Sequence, residues 1–306
     1  MMRSLYSGVS GLRSHQTRMD VIGANISNVN TVGFKASRVT FRDVVYQSLT
    51  GATRPIDEVR GGVNPYQIGL GTQVASIDLL MTRAGPALTD RPLDAYIDGE
   101  GFFRVRGPGS EDLAQEYFTR VGNFSFDELG QLVDSNGNFV LGVNSEMVPL
   151  MDYESVLVAD SLDGPVPEYD AVPIAIGEDN LEVYMRLTNI SLGPDGIITA
   201  YDPLGEPGEE IVVIGEIALY KFANNYGLVQ VGNTYYQQSA NSGEPYMTAP
   251  GLNGTGSTIS NRLEMSNVEL AKEFTDMIVT QRGFQANSRI ITVSDEMLQE
   301  LVNLKR

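Results

Sequence analysis

The sequence predicts an α+β protein with N- and C-terminal helices paired as an α-helical coiled coil, an extended connector and a central all-β domain. Three observations predict it. Apolar residues recur at heptad spacing near both ends of the chain. Glycine is abundant, 32 of 306 residues, which favours turns and short strands between them. Charge is segregated: residues 1–69 carry a net +4, residues 70–250 a net −21 and residues 251–306 a net −1. An acidic, solvated body thus separates two ends of different character.

At the N-terminal end Leu5, Val9, Leu12, Gln16, Met19, Gly23 and Ile26 follow a 4-3-4-3-4-3 spacing, with Ile22 beside the stripe. The stripe is imperfect, because Gln16 and Gly23 occupy core positions. Gly8, Gly11 and Gly23 each cost a helix up to about 1 kcal/mol relative to alanine. A helix that keeps them is either frayed or pressed closely against a neighbour. The Asn25–Thr31 segment is rich in side chains that compete for backbone hydrogen bonds, so the helix is expected to stop there.

At the other end Ser266-Asn267-Val268-Glu269 reads as a capping box with Ser266 as N-cap. Leu270, Phe274, Met277, Gln281, Phe284, Ser288, Ile291, Asp295, Leu298 and Val302 then keep the heptad spacing, and Ile278 and Leu301 widen the apolar face. A helix this long suggests a coiled coil, with the other terminal helix as its natural partner. The expected helical core is residues 1–30 with 262–306. Residues 31–74, with several glycines and few alternations, read as an extended connector. Residues 75–261 read as a β-rich outer domain. Four turn-bearing stretches mark it: 95–105, 123–133, 134–141 and 190–201. The proline-bearing stretch 143–185 is expected to be an irregular excursion.

Enzyme chemistry finds little to stand on. There are no cysteines and one histidine, so thiolate chemistry is excluded and nucleophile–histidine or common zinc sites are hard to build. His15 falls within the N-terminal helix and reads as structural. Asp98 and Glu100 flank Gly99 and read as outward turn residues rather than a carboxylate pair. Gly99-Glu100-Gly101 leads into a strand, so a dinucleotide fingerprint fails on context. Asp134-Ser135-Asn136-Gly137-Asn138 has only a fragment of a calcium-loop spacing. No catalytic residue, metal site or cofactor is expected. The acidic body opposes nucleic acid, and no 18-residue apolar run could span a membrane. Pattern alone leaves two readings open: a helical hairpin closing one globular domain, or a multi-subunit tube whose copies cover each other's apolar faces. A secreted coiled-coil effector or adhesin is a remote third.

Two end motifs add a resemblance. Leu5–Leu12 with Asn25-Ile26-Ser27-Asn28-Val29-Asn30-Thr31-Val32-Gly33-Phe34-Lys35 resembles the N-terminal signature of the bacterial flagellar rod and hook family. Ser266–Leu270 with Gln281-Arg282-Gly283-Phe284-Gln285-Ala286-Asn287-Ser288 resembles its C-terminal signature. Pro92–Phe103 and Phe118–Phe124 look like its β-domain core. The signature positions are Asn25, Asn28, Asn30, Gly33, Phe34, Asn267, Gln281, Arg282 and Asn287.

The resemblance implies self-assembly through the terminal helices, at Leu5, Val9, Leu12, Met19, Ile22, Ile26, Leu270, Phe274, Met277, Ile278, Phe284, Ile291, Leu298 and Leu301. It implies a helical homopolymer outside the cell after type III export through an uncleaved N-terminal region. The partners it implies are copies of itself, the rod, hook-cap and hook-filament junction proteins, and the export apparatus. Asn64–Val74 and the ending Leu304-Lys305-Arg306 follow the family's hook pattern, a flexible torque-transmitting joint, more than its distal-rod pattern, a rigid drive shaft.

Overall fold

A computed structural model describes residues 2–55, 61–109, 115–149, 172–174, 186–204 and 210–304. The chain forms two compact units. One holds residues 1–29, 36–80 and 268–306, the other residues 30–35 and 81–267.

The first unit is built on two helices, α1 (Met2–Ser27) and α2 (Leu270–Leu304). At 35 residues α2 is roughly 52 Å long at 1.5 Å per residue. It starts at Leu270, not at the Asn267 that a Ser266 N-cap would make its first helical residue. Asn267 belongs to the other unit, where its side-chain amide donates to Thr82 Oγ1 at 2.9 Å and its backbone amide to Phe34 O at 3.5 Å. The same helical unit contains four strands that begin within the stretch read as a connector, the last of them running past its end: β1 (Ser37–Asp43), β2 (Tyr46–Thr50), β3 (Tyr66–Gly69) and β4 (Thr72–Leu79). Antiparallel pairs form between β1 and β4 and between β2 and β3.

This β ribbon packs on α1. Asn25 caps the start of β1, donating Nδ2 to Ser37 O at 2.9 Å and accepting from Ser37 N at 3.0 Å. Gly71, at φ +118°, brings its Cα against Ser10; a Cβ there would fall 2.1 Å from Ser10 Oγ. Only glycine both adopts that φ and leaves that space.

The second unit is all β. Its strands are β5 (Pro86–Leu88), β6 (Asp94–Asp98), β7 (Phe103–Arg106), β8 (Glu116–Thr119), β9 (Gly122–Phe126), β10 (Leu132–Asp134) and β11 (Phe139–Pro149). After them come β12 (Val172–Pro173), β13 (Thr188–Leu192), β14 (Ile197–Tyr201), β15 (Ile211–Ile217), β16 (Leu219–Lys221), β17 (Val229–Gly232), β18 (Tyr235–Gln237), β19 (Tyr246–Thr248), β20 (Ser257–Ser260) and β21 (Arg262–Glu264). The main sheet runs β17-β18-β8-β7-β11-β10-β9-β6-β20, with β15, β14 and β13 continuing from β11. Ala95, Ile97, Phe103, Val105, Phe124, Leu132, Val140, Ile198, Ile214 and Leu219 form one buried core. Alternation along β7 and β9 places Phe103 and Phe124 edge to face with centroids 5.0 Å apart.

Three of the four predicted turns join paired strands: β9–β10, β10–β11 and β13–β14. The fourth does not. β6 pairs with β9 and β20 while β7 pairs with β8 and β11, so 95–105 joins two strands that are not neighbours in the sheet rather than forming a hairpin. Gly99 lets the chain turn there at van der Waals contact with Gly256, where a Cβ would sit 2.6 Å from the Gly256 Cα. Most of the expected excursion at 143–185 lies outside the described residues. Within it, β11 extends to Pro149, β12 pairs with β11 and Ile174 is fully buried.

The turn with the fragmentary calcium-loop spacing has its own use. Asp134 Oδ1 accepts from the backbone of Asn136 at 2.8 Å and of Asn138 at 3.0 Å. The Tyr235 hydroxyl donates to Asp134 Oδ2, and Asn138 Nδ2 donates to the Tyr235 oxygen at 2.7 Å. Burial and the Asp134 carboxylate push the Tyr235 hydroxyl up to about 12. The carboxylate therefore holds a turn and a tyrosine together.

Candidate self-assembly surface

The helices α1 and α2 are antiparallel, and their seam can be followed residue by residue. Ser4 Oγ lies 3.5 Å from Ser294 Oγ. Gly8 faces Ile291, with a Cβ position 3.4 Å from Ile291 Cγ1. A Cβ on Gly11 would lie 2.5 Å from Asn287 Nδ2, and one on Gly283 would lie 2.7 Å from the His15 ring. Arg18 Nη2 donates to Asp276 Oδ1 at 2.8 Å. The steps 4, 8, 11, 15 and 18 on α1 do follow heptad spacing, but they are filled by glycine and polar residues. Small side chains let the two backbones approach closely, and close packing then supplies contact that bulk apolar groups would otherwise provide.

This corrects the expected seam. Leu5, Leu12, Met19 and Ile26, one position along from the seam, are half-buried, and Val9 is exposed. Ile22 is buried. On α2, Met277, Phe284, Ile291 and Leu298 are half-buried. Leu270, Phe274, Ile278 and Leu301 are exposed, Phe274 and Leu301 by 50% each. Ile290, Val293, Met297 and Leu304 are exposed as well, and with Leu301 they form a second apolar row at three- and four-residue steps, on a different face of the helix from Leu270, Phe274 and Ile278. A sequence signal for the true seam existed: Gly8, Gly11, Gly283, Asn287 and Ser294 are the close-approach residues, and they too repeat at heptad spacing.

The signature positions divide by place. Asn25 is buried at the start of β1, and Asn287 sits against Gly11 in the seam. Asn28 donates its side-chain amide to Ala24 O at 2.9 Å, closing the end of α1. Asn30, Gln281 and Arg282 are exposed, and Phe34 is half-buried. Gly33 and Asn267 belong to the β unit, where the Gly33 amide donates to Glu264 O at 2.8 Å.

Burial, and then the neighbouring Arg18 charge, lower the His15 pKa below 6.5. The folded chain therefore binds this proton less readily than the unfolded chain, so stability falls as pH drops through about 6.5. Asp276 pairs with Arg18 beside it. Thermal melts of the wild type at about pH 8 and about pH 5.5 should differ more than those of His15→Gln. Equal differences would show that His15 binds its proton equally well in the folded and unfolded chain.

Among the described residues no group of carboxylates and histidine is placed to hold a metal ion. Nor is any helix among them long and apolar enough to cross a membrane. A helix pair closed by small residues, with apolar side chains left exposed beside it, has the character of a protein–protein interaction surface.

Comparison with known proteins gives that class its family. Residues 5–35 match the flagella basal body rod protein family, residues 96–200 the flagellar hook protein FlgE/F/G D1 domain, and residues 259–304 the flagellar basal body rod FlgEFG protein C-terminal family. The chain is 42% identical over 308 residues to the flagellar basal-body rod protein FlgG of Bacillus subtilis, covering all of both chains. It is also 33% identical to the flagellar hook protein FlgE of Borreliella burgdorferi over 447 residues and 31% identical to that organism's rod protein FlgG over 308, again covering all of each. The chain belongs to the bacterial flagellar rod and hook protein family, whose members are structural components of the flagellum. The alignment with the Borreliella hook protein is much longer than the 306 residues here, so that protein carries segments with no counterpart in this chain.

Proposed function

We propose that this chain is the structural subunit of the flagellar hook, a flexible tubular joint that passes torque from rod to filament. The observation that carries the self-assembly part is the pair of exposed apolar rows on α2 beside a seam already closed by small residues. Copies of the same chain are the occupants that fit it, because each brings an equivalent stripe from α1 and α2. In this reading neighbouring copies pack their terminal helices as coiled coils, through Leu5, Val9, Leu12, Met19 and Ile26 with Leu270, Phe274, Ile278 and Leu301. The acidic β unit faces outward, where its charge keeps it solvated. The chain reaches its place by type III export and meets the rod, hook-cap and hook-filament junction proteins there.

The Asn64–Val74 pattern favours the hook. A second reading, the distal rod or drive shaft, is favoured by the name of the Bacillus subtilis relative. Deleting the gene separates the two. Cells that keep a complete rod and lack a hook support the hook reading; cells that lack the outer rod support the drive shaft. Purified protein polymerising into curved tubes would agree with the first outcome, straight rods with the second, and a persistent monomer with neither.

A further inference from the structure

The chain passes between its two units four times, and every crossing lies next to one of three short segments of the β unit: 30–35, 81–84 and 264–267. Those segments converge on Glu264. Its Oε1 accepts from Lys35 Nζ at 2.7 Å and from the Ala84 amide at 3.1 Å. Its backbone carbonyl accepts from the Gly33 amide at 2.8 Å. Lys35 Nζ also donates to Thr82 O at 2.8 Å, and Asn267 Nδ2 to Thr82 Oγ1 at 2.9 Å. Arg120 stands behind, with Nη1 3.5 Å from Glu264 Oε2, a hydrogen bond to Gly99 O at 2.8 Å and its guanidinium over the Phe102 ring.

The side chains of Lys35 and Glu264 are both fully buried. Burial pushes the Lys35 ammonium below its ordinary range, and Glu264 pulls it back. Gly33, at φ +68°, makes the docking possible: a Cβ there would lie 2.6 Å from Val121 Cγ2. A buried ion pair adds little net stability over an apolar replacement, yet removing one partner strands a charge. Such a pair therefore ties its segments together more than it strengthens the core.

We propose that Lys35, Glu264 and Arg120, with Thr82 and Asn267, form a clasp that binds all the chain crossings of the β unit into one fixed bundle. The segment 30–35 cannot leave the unit without unpairing Lys35 and Glu264 inside it. Strain applied along the chain at any crossing is met first by this clasp, before the sheet. Two of the positions that carry the family resemblance, Gly33 and Asn267, then act in joining segments within one chain and not in contacts between copies.

Amide hydrogen exchange on the full-length chain tests this. In Glu264→Gln the amides of Gly33, Ala84 and Met265 should exchange roughly 10- to 100-fold faster, with a smaller change at Val105 and Ile214 in the core. In Asn267→Ala, which leaves the buried charges in place, the same clasp amides should exchange up to about tenfold faster. Unchanged protection at Gly33 and Met265 overturns the clasp. So does an equal loss at Val105 and Ile214, which would make these residues ordinary core. Should Glu264→Gln not fold, Asn267→Ala decides alone by the same criteria.

Discussion

Phe274→Asp combined with Leu301→Asp is expected to abolish polymerisation while the monomer keeps its fold. Both side chains are 50% exposed, so the folded chain loses less apolar contact at these positions than at a buried one. Between copies the balance differs. Burying a phenylalanine or leucine is worth about 1.5–3 kcal/mol each, and a carboxylate in the same place must be desolvated without a partner. A combined loss of only about 3 kcal/mol already raises the concentration needed for assembly more than 100-fold. Sedimentation of purified protein across a concentration series reads this directly, and motility in soft agar reads it in cells. Circular dichroism of the variant should overlay that of the wild type. Normal tubes, or a monomer that has lost its helices, would show that these rows are not where copies meet.

Gly11→Leu should do the opposite and open the seam within the chain. A Cβ at Gly11 would meet the end of the Asn287 side chain at 2.5 Å, and a leucine adds further atoms that would force Asn287 out of the seam. Overpacking of this kind costs about 1–3 kcal/mol. The α1–α2 pair should lose helicity and melt earlier, while the β unit, with its separate core, keeps its transition. Gly23→Ala is the matched control, because nothing stands within 4 Å of a Cβ there. It should raise helix stability by up to about 1 kcal/mol. If Gly11→Leu and Gly23→Ala behaved alike, the close approach of the helices at Gly11 would be wrong.

The two variants separate surfaces that heptad arithmetic merges. Leu5, Leu12 and Met19 carry the apolar period, and that period predicts where a helix forms and that it has a buried side. It does not say which of two adjacent stripes meets the nearest helix. Position 11 and position 12 differ by about 100° around the axis, and both belong to heptad repeats. The choice is made by backbone distance, which glycine and serine permit and leucine opposes. The connector is a second case. Residues 31–74 read as irregular because β1 to β4, which begin within that stretch, are largely exposed and so lack the alternation that marks a half-buried strand.

Turn chemistry was legible for local reasons. Gly137 and Gly196 sit at φ +79° and +84° at the tips of true hairpins, where a left-handed residue is required. The Gly99 turn has similar residues but joins strands that do not pair, because the partners of β6 and β7 come from elsewhere in the chain. Nothing local distinguishes the two cases.

By itself the sequence determined the two long helices, the β character of the middle, the lack of thiol and histidine chemistry, and the family. Each rests on residue types and short-range periods, which act through local geometry. Only the tertiary structure decided that small residues line the approach of the two helices and that the apolar period is left half-buried along much of its length. It alone brought Lys35 to Glu264, 229 residues away along the chain. Those outcomes depend on which distant groups share a buried volume, and in a buried volume a charge must find its partner and a backbone must fit its neighbour.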